Sequence, residues 1–398
     1  MPKPLPWPRE TSVMVRLSDE LITALRAVIH SSTFAGLGPI EVARTLGLDK
    51  TFTSRLMSAL RASDSMVALS LLPGVVPMRQ FVAAARDHGA SARAVQVVER
   101  KLRQFDHELQ SAFGTRTRLD AVIADALPEA RRRHEDGARQ AVYRGMALIK
   151  GVSIDLESYT WVVHPSRKNP RRVDLLFLAA FVGVHRLRPT ARVQVGSYHP
   201  TGRPEQGARL LRKFCRPGGL SIATSTEKNF TSYEISTDSA RRDAAADVFL
   251  TEFMLDAAPR RAPTPGKGGW TVGDMISHPI KRLELAMLIH KDAWAGCEFS
   301  LRAYDSVGRG MAGLTGPVRD VDRLPLDAKV VRAAADDEAF RASPVPNYLE
   351  ILHHLTAPLG WKLEGPPGHP AFRKISCEIA YPLYGAHIFL APESRRPR

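Results

Sequence analysis

At Gly151 the chain changes the period of its apolar residues, and that change divides what each side can fold into. Before it, apolar residues recur every three or four positions, as in Leu21, Leu25, Val28 and Ile29, the repeat of a helix with one buried face. After it, alternation takes over in stretches such as 192–198, 220–226 and 282–290, where Leu283, Leu285, Met287 and Ile289 share one side of a strand. The expected fold class is therefore α+β and multidomain: an all-α N-terminal half, then an α+β, antiparallel β-rich C-terminal half. The apolar block Val173 to Val184 is either a buried helix or a buried strand, and its length of about 12 residues favours helix.

Within the helical half, residues 39–61 read as two short helices joined by a glycine turn. Val42, Ala43 and Leu46 fall on one face, and Ala43 is small enough for a second helix to cross closely. Gly47 permits the positive φ of a tight turn, Leu48 points back to the core, and Asp49 can cap the next helix. That helix buries Thr53, Leu56 and Leu60 and projects Lys50, Thr51, Phe52, Ser54 and Arg55 outward. Lys50 and Arg55 could reach phosphates or guanine edges, Thr51 and Ser54 backbone oxygens, and Phe52 a thymine methyl.

The stretch resembles the DNA-binding helix-turn-helix of bacterial transcriptional regulators, carried by Ala43, Gly47, Leu48, Asp49, Ser54 and Arg55. Two positions depart from that pattern: Phe52 stands where Thr is usual, and Thr53 where a buried Val is usual. Thr has the shape of Val, and its hydroxyl must then bond the preceding turn. The resemblance covers 39–61 alone and names no family for the remainder. It implies double-stranded DNA as the partner and Lys50, Thr51, Phe52, Ser54 and Arg55 as the groove-facing set.

Around this unit the expected order is a flexible arm at 1–12, a helix-turn-helix DNA-binding domain at 13–88, a helical connector at 89–150, and an α+β sensor domain at 151–398. Ser18 should cap the first helix, and no wing is evident after Arg61, where helical spacing resumes. In the connector Val95, Val98, Leu102, Phe105 and Leu109 form a short a/d seam, either the joint of a homodimer or a helix packed in its own domain. In the last region the stretch 257–269 has linker composition and would divide it, Phe299 to Tyr304 should pair with the strand at 282–290, and Pro382 should bend the terminal strands.

The charge of +15 and pI near 10.0 suit a nucleic-acid partner, but the excess is spread, net +7 over residues 1–150 and +8 over the rest. Cys215, Cys297 and Cys377 lie too far apart for a CxxC or Cys/His metal spacing, so no disulfide framework and no metal is expected. No apolar run is long enough to span a bilayer, which with the cysteines gives a cytoplasmic expectation without a membrane partner.

The sequence holds no GxSxG, HExxH or P-loop pattern, and the GxGxxG at Gly308 to Gly313 lacks a following helix, so no catalytic residue or cofactor is named. Adjacent His353 and His354 lie on different sides of a helix and cannot ligate one metal as a pair. Tyr159, Trp161 and Trp270 are candidate walls of an effector pocket. The leading expectation is a DNA-binding transcriptional regulator with a C-terminal ligand-sensing or interaction domain, a small-molecule effector shifting the spacing of two recognition helices in a homodimer. The alternatives are an enzyme that carries a helix-turn-helix for localisation, and a DNA-organising or partner-binding protein without a small ligand.

Overall fold

The computed structural model describes residues 9–188, 190–191, 193–198, 209–216, 220–227, 230–237, 245–261, 272–305, 322–326, 328–365 and 370–393. The chain divides into two compact units, Met1–Gly137 and Ala138–Arg398. Most of the arm expected at 1–12, the linker composition from 262 onward, Trp270, and the Gly308 to Gly313 motif lie outside the described residues.

The first unit is helical: α1 (Arg9–His30), α2 (Pro39–Leu46), α3 (Lys50–Arg61), α4 (Ser65–Leu71), α5 (Val75–Asp87), α6 (Ala92–Glu108) and α7 (Arg116–Ala126). A further helix, α8 (Pro128–Lys150), begins in the first unit and ends in the second. Helix α1 starts earlier than Ser18 because that serine has another way to satisfy itself: its hydroxyl donates back to the Val15 carbonyl at 2.7 Å inside the helix. As the spacing indicates, α4 occupies the place where a wing would begin.

Helix α6 answers the question left by its seam. Val95, Val98, Leu102, Phe105 and Leu109 are all at most 4% exposed, packed with Leu21, Leu25 and Phe81 in the core of the same unit. Arg79 of α5 pairs with Asp106 of α6 at 2.9 Å, and Lys101 of α6 pairs with Glu20 of α1. The residues offered as a dimer joint are thus core residues of one chain, and α6 and α7 belong with α1–α5 rather than to a separate connector.

In the second unit β1 (Val152–Pro165) and β2 (Arg172–Arg186) form an antiparallel hairpin. The small strands β3 (Val193–Tyr198), β4 (Arg209–Leu210), β5 (Leu220–Glu227) and β6 (Phe230–Thr237) precede the long β7 (Ala246–Pro259). Then come β8 (Val272–Met275), β9 (Ile280–His290), β10 (Glu298–Asp305), β11 (Val331–Ala334), α9 (Asp337–Arg341), α10 (Tyr348–Thr356), β12 (Phe372–Ala380) and β13 (Ala386–Glu393). Among the described residues the large sheet has the order β11-β12-β9-β1-β2-β7-β4, with β1 and β9 parallel; two smaller sheets have the orders β10-β13-β8 and β3-β6-β5.

Several expectations yield to this topology. The block Val173 to Val184 is strand, not helix, since β2 lies between β1 and β7 and is apolar on both faces because both faces are covered. Strand β9 is likewise buried on both sides, not half-buried, and its neighbours are β1 and β12, while β10 pairs with β13 in a different sheet. The terminal stretch is two strands, β12 and β13, and the turn containing Pro382 passes the chain from one sheet to another. Residues 257–259 continue β7, and one core joins Val152, Leu250, Ile280 and Leu390, so the unit is not divided there.

One face of the large sheet packs on the smaller sheets through Tyr159, Leu285, Phe299, Ile235 and Ile388. Its other face is covered by α9, α10 and Trp361, which meet Val162, Leu176 and Leu288. Under that cover Ser158 donates to Glu284 at 2.8 Å, Ser343 donates to the same carboxylate at 3.2 Å, and Lys374 stands 3.8 Å from it while donating to the Ala339 carbonyl at 3.1 Å. Burial pushes the Lys374 ammonium down, and Glu284 opposes that shift. Among the described residues no single helix is long and apolar enough to cross a membrane; the bent pair α4 and α5 passes by composition only and supplies Leu69, Phe81 and Val82 to the core.

Two glycines separate conformational strain from crowding. Gly47 has φ +64° with nothing within 4 Å of an added Cβ, whereas at Gly183, φ +66°, a Cβ would lie 2.4 Å from an Asp155 carboxylate oxygen. Gly47→Ala should cost about 1 kcal/mol and Gly183→Ala about 2–4 kcal/mol, because the second adds overpacking to the same backbone strain. Denaturant midpoints of the two variants check the order; equal losses would contradict it.

Candidate nucleic-acid interface

The turn between α2 and α3 forms where the sequence places it. Gly38 N–H donates to Glu41 at 3.0 Å to open α2, and Gly47 ends that helix in the left-handed region with Leu48 N–H bonded to the Ala43 carbonyl at 2.9 Å. Asp49 caps α3 by accepting from Phe52 N–H at 2.8 Å. Thr53 is buried, and its hydroxyl bonds the Asp49 carbonyl at 2.9 Å, which satisfies the group that distinguishes it from Val.

The outward set divides in two. Lys50, Thr51 and Ser54 are exposed, and Ser58 and Arg61 continue the same face one and two turns on. Helix α3, KTFTSRLMSALR, contains no carboxylate, so this face has no charge of its own that repels a phosphate. Phe52, by contrast, is half-buried against the core of its unit, and its ring is not a free probe for a thymine methyl.

Arg55 is the larger correction. Its Nε donates to the Leu71 carbonyl at 3.0 Å and its Nη2 to the Ser70 carbonyl at 3.2 Å, at the C-terminal end of α4. Arg116 reaches the neighbouring Leu69 carbonyl at 2.9 Å, and Arg133 reaches the Ser70 hydroxyl at 2.8 Å. Three guanidiniums thus gather where α4 leaves its last carbonyls unsatisfied and its dipole is negative. Arg55 is exposed as a whole residue, but partial desolvation of its guanidinium against α4, with the nearby charges of Arg116 and Arg133, holds it below its usual range, and Asp120 opposes that shift. Sequence reasoning missed this role because the acceptors are backbone atoms of another helix, which leave no mark in residue type. The extension through Ser58 and Arg61 was readable from spacing along α3.

Among the described residues of the second unit, Ser277, His278 and Glu157 have the residue types of a hydrolytic triad, and their geometry excludes that role. His278 Nε2 lies 2.9 Å from the Gln194 carbonyl oxygen, an acceptor only, so Nε2 carries the proton and Nδ1 accepts from the Ser277 hydroxyl at 3.3 Å. Glu157 is 3.9 Å from Nδ1, the same nitrogen that faces the serine, and its other oxygen accepts from the Tyr159 hydroxyl. An acid that orients the ring must face the nitrogen opposite the nucleophile. Burial pushes His278 down to about 4, with the Gln194 bond opposing, which leaves a poor base at neutral pH. Of the candidate pocket walls, Tyr159 lies in the core, and Trp161 packs on that core and on Phe177.

No family model and no curated protein matches the sequence. Among solved structures the chain is similar to a Parabacteroides distasonis protein provisionally named a protease, at 7% identity and TM-score 0.31, over 61% of this chain and 40% of that one. It is similar to a variant of an M1 zinc metallopeptidase from Deinococcus radiodurans, at 6% identity and TM-score 0.25, over 61% and 42%. A two-domain M1 zinc metallopeptidase variant bound to L-tryptophan gives 8% identity and TM-score 0.25, over 62% and 44%. The chain therefore spans under half of these proteins' length, and at such scores the likeness assigns it no reaction.

Among the described residues nothing is arranged as a zinc site. The two His-Glu pairs, His107-Glu108 and His134-Glu135, have Ser111 and Ala138 where a HExxH site needs its second histidine, and among the described residues no three His, Cys, Asp or Glu could hold a metal ion. The expectation of a DNA-binding transcriptional regulator with a ligand-sensing domain is corrected nonetheless. The chain itself withdraws the regulator's parts: the residues offered as a dimer seam are core residues of one unit, and the arginine expected to read bases is bonded within that unit.

Arg55→Ala should destabilise the helical unit by about 1–2 kcal/mol, because two C-terminal carbonyls of α4 lose a charged donor. A melting curve of the full chain unchanged by the substitution would show that the bond does not hold the fold. For His278 the folded pKa lies below the unfolded one, so its contribution is complete above pH 6.5 and is lost as the unfolded state takes up a proton between about 6.5 and 4. Unfolding free energy should fall by about 3 kcal/mol more across that window than in His278→Gln, measured by denaturant titration at each pH.

Proposed function

We propose that the protein docks on double-stranded DNA through the outward face of α3 and holds its β-rich unit there, as a DNA-organising or partner-binding protein whose contact with DNA does not depend on a small-molecule effector. The observation that carries this reading is the division of the α3 surface. Lys50, Thr51, Ser54, Ser58 and Arg61 are free to meet phosphates, whereas Arg55 and Phe52, the side chains suited to base edges, are engaged within the fold. Phosphate contacts position a protein on a duplex, and base contacts specify a sequence. A helix that retains the first set without the second supports docking with little sequence preference.

The cytoplasm is the compartment this reading requires, and the free state of Cys215, Cys297 and Cys377 accords with it. No reaction is part of the proposal.

The test is duplex binding by fluorescence anisotropy with Lys50→Ala/Arg61→Ala in the full chain. The double variant should bind every duplex more weakly by a similar factor, and the slope of log K against log salt should fall by about 0.9 for each phosphate that is no longer neutralised. An unchanged affinity and an unchanged slope would reject the α3 face as the docking surface.

A further inference from the structure

We propose that the second unit carries a separate anion site, a cleft of about 830 Å³ lined by Arg171, Arg260, Arg261 and Asp292, which takes a phosphate-bearing small molecule. The cleft lies where β1 turns into β2, β7 ends and β9 gives way to β10. Its volume is in the range of sites for compact organic ligands.

The walls are fixed before any ligand arrives. The turn 166–171 is closed by Ser166 N–H on the Arg172 carbonyl at 3.1 Å and by the Ser166 hydroxyl, which accepts from the N–H groups of Lys168 and Asn169. Arg260 N–H donates to the Arg171 carbonyl at 2.8 Å and so ties the end of β7 to that turn. The opposite wall, after β9, is held by Trp294, which is 1% exposed and sits at φ +45°, a region that non-glycine residues rarely adopt. Its Nε1 donates to the Pro259 carbonyl at 2.9 Å, its N–H to the Arg260 carbonyl at 3.2 Å, and its own carbonyl accepts from Arg373 at 2.8 Å. A strained residue anchored from three sides holds Asp292 and Ala295 against the cleft.

Charge in the cleft is unbalanced. Arg260 spends Nε on the Asp292 carbonyl at 2.9 Å and Nη1 on the Pro170 carbonyl at 3.4 Å, which orients its guanidinium and leaves further N–H groups for a ligand. The guanidiniums of Arg171 and Arg261 have no side-chain partner among the described residues. The carboxylate of Asp292, 3.7 Å from His290 Nδ1, is the single acid among the described lining residues. Guanidiniums lining one cleft match the oxygens of a phosphate or diphosphate, which Arg171 and Arg261 can each bind with two parallel hydrogen bonds and Arg260 with its remaining N–H groups. The exposed Asp292 carboxylate can accept from a hydroxyl or amino group on the rest of the molecule, beside the apolar surface of Pro259 and Ala295. This favours a nucleotide-sized ligand over the backbone of a long polymer, whose charge would need an extended track of bases.

The experiment titrates the full chain calorimetrically with pyrophosphate and with ADP, and compares Arg171→Ala/Arg261→Ala with Lys168→Ala, an exposed cation outside the lining. Both probes should bind the parent saturably, the double variant should bind each at least tenfold more weakly with an unaltered melting temperature, and Lys168→Ala should bind as the parent does. Asp292→Asn should tighten pyrophosphate by removing a like charge from its neighbourhood. ADP bound more tightly than pyrophosphate assigns a nucleotide, and equal binding assigns the phosphate group; either supports the site. Absence of saturable binding to the parent, or equal weakening by Lys168→Ala, overturns it. Loss of duplex binding in the double variant, with neither small probe bound, gives the cleft to nucleic acid and overturns it also.

Discussion

Parallel pairing of β1 with β9, which sets Ile154 opposite Ile280 and Val163 opposite Ile289, is the constraint on which the second unit depends. It places β1 and β9 in the interior of the large sheet with a neighbour on each side, so neither of their faces can be left to water. The smaller sheets cover one face and the α9–α10 segment the other. The cover over the second face is tied down by polar groups: Ser158 and Ser343 bond Glu284 from opposite layers, and Tyr348 meets the Thr160 hydroxyl at 3.0 Å. Such groups contribute modest net stability once desolvation is counted, and they fix which way the helical cover sits.

In the helical unit the corresponding constraint is the end of α4. A short helix that stops at Leu71 presents carbonyls that something must satisfy, and Arg55, Arg116 and Arg133 are drawn there. The consequence for function is direct. A guanidinium that would discriminate among bases is used to close the fold, and the surface left on α3 is lysine, hydroxyls and Arg61. Structure thus turns an expectation of sequence reading into a proposal of phosphate docking.

Periodicity exposed the helices, the turn at Gly47 and the change at Gly151, because each depends on residue type along a continuous stretch. It misassigned Val173 to Val184, since a strand covered on both faces loses the alternation that marks a strand. It drew the Val95 to Leu109 seam correctly as a buried stripe, yet a stripe does not say whether its cover is the same chain or another, and here α1 and α5 supply it. The candidate site was half legible for the same reason. Exposure of Lys50, Thr51 and Ser54 follows from helical geometry, whereas the engagement of Arg55 depends on carbonyls fifteen and sixteen residues away in sequence. The pairing that defines the large sheet joins segments more distant still, and no local pattern announces it.

The central claim is that α3 meets DNA without reading it, and the ratio of affinities across sequences tests that most directly. Binding of the full chain to a randomised pool of duplexes, sequenced before and after selection at one fixed salt concentration, measures the ratio. The account predicts a spread of less than about tenfold, since phosphate contacts alone carry no sequence information. A preferred sequence bound about a thousandfold or more above the pool, as base-reading proteins achieve, would contradict it.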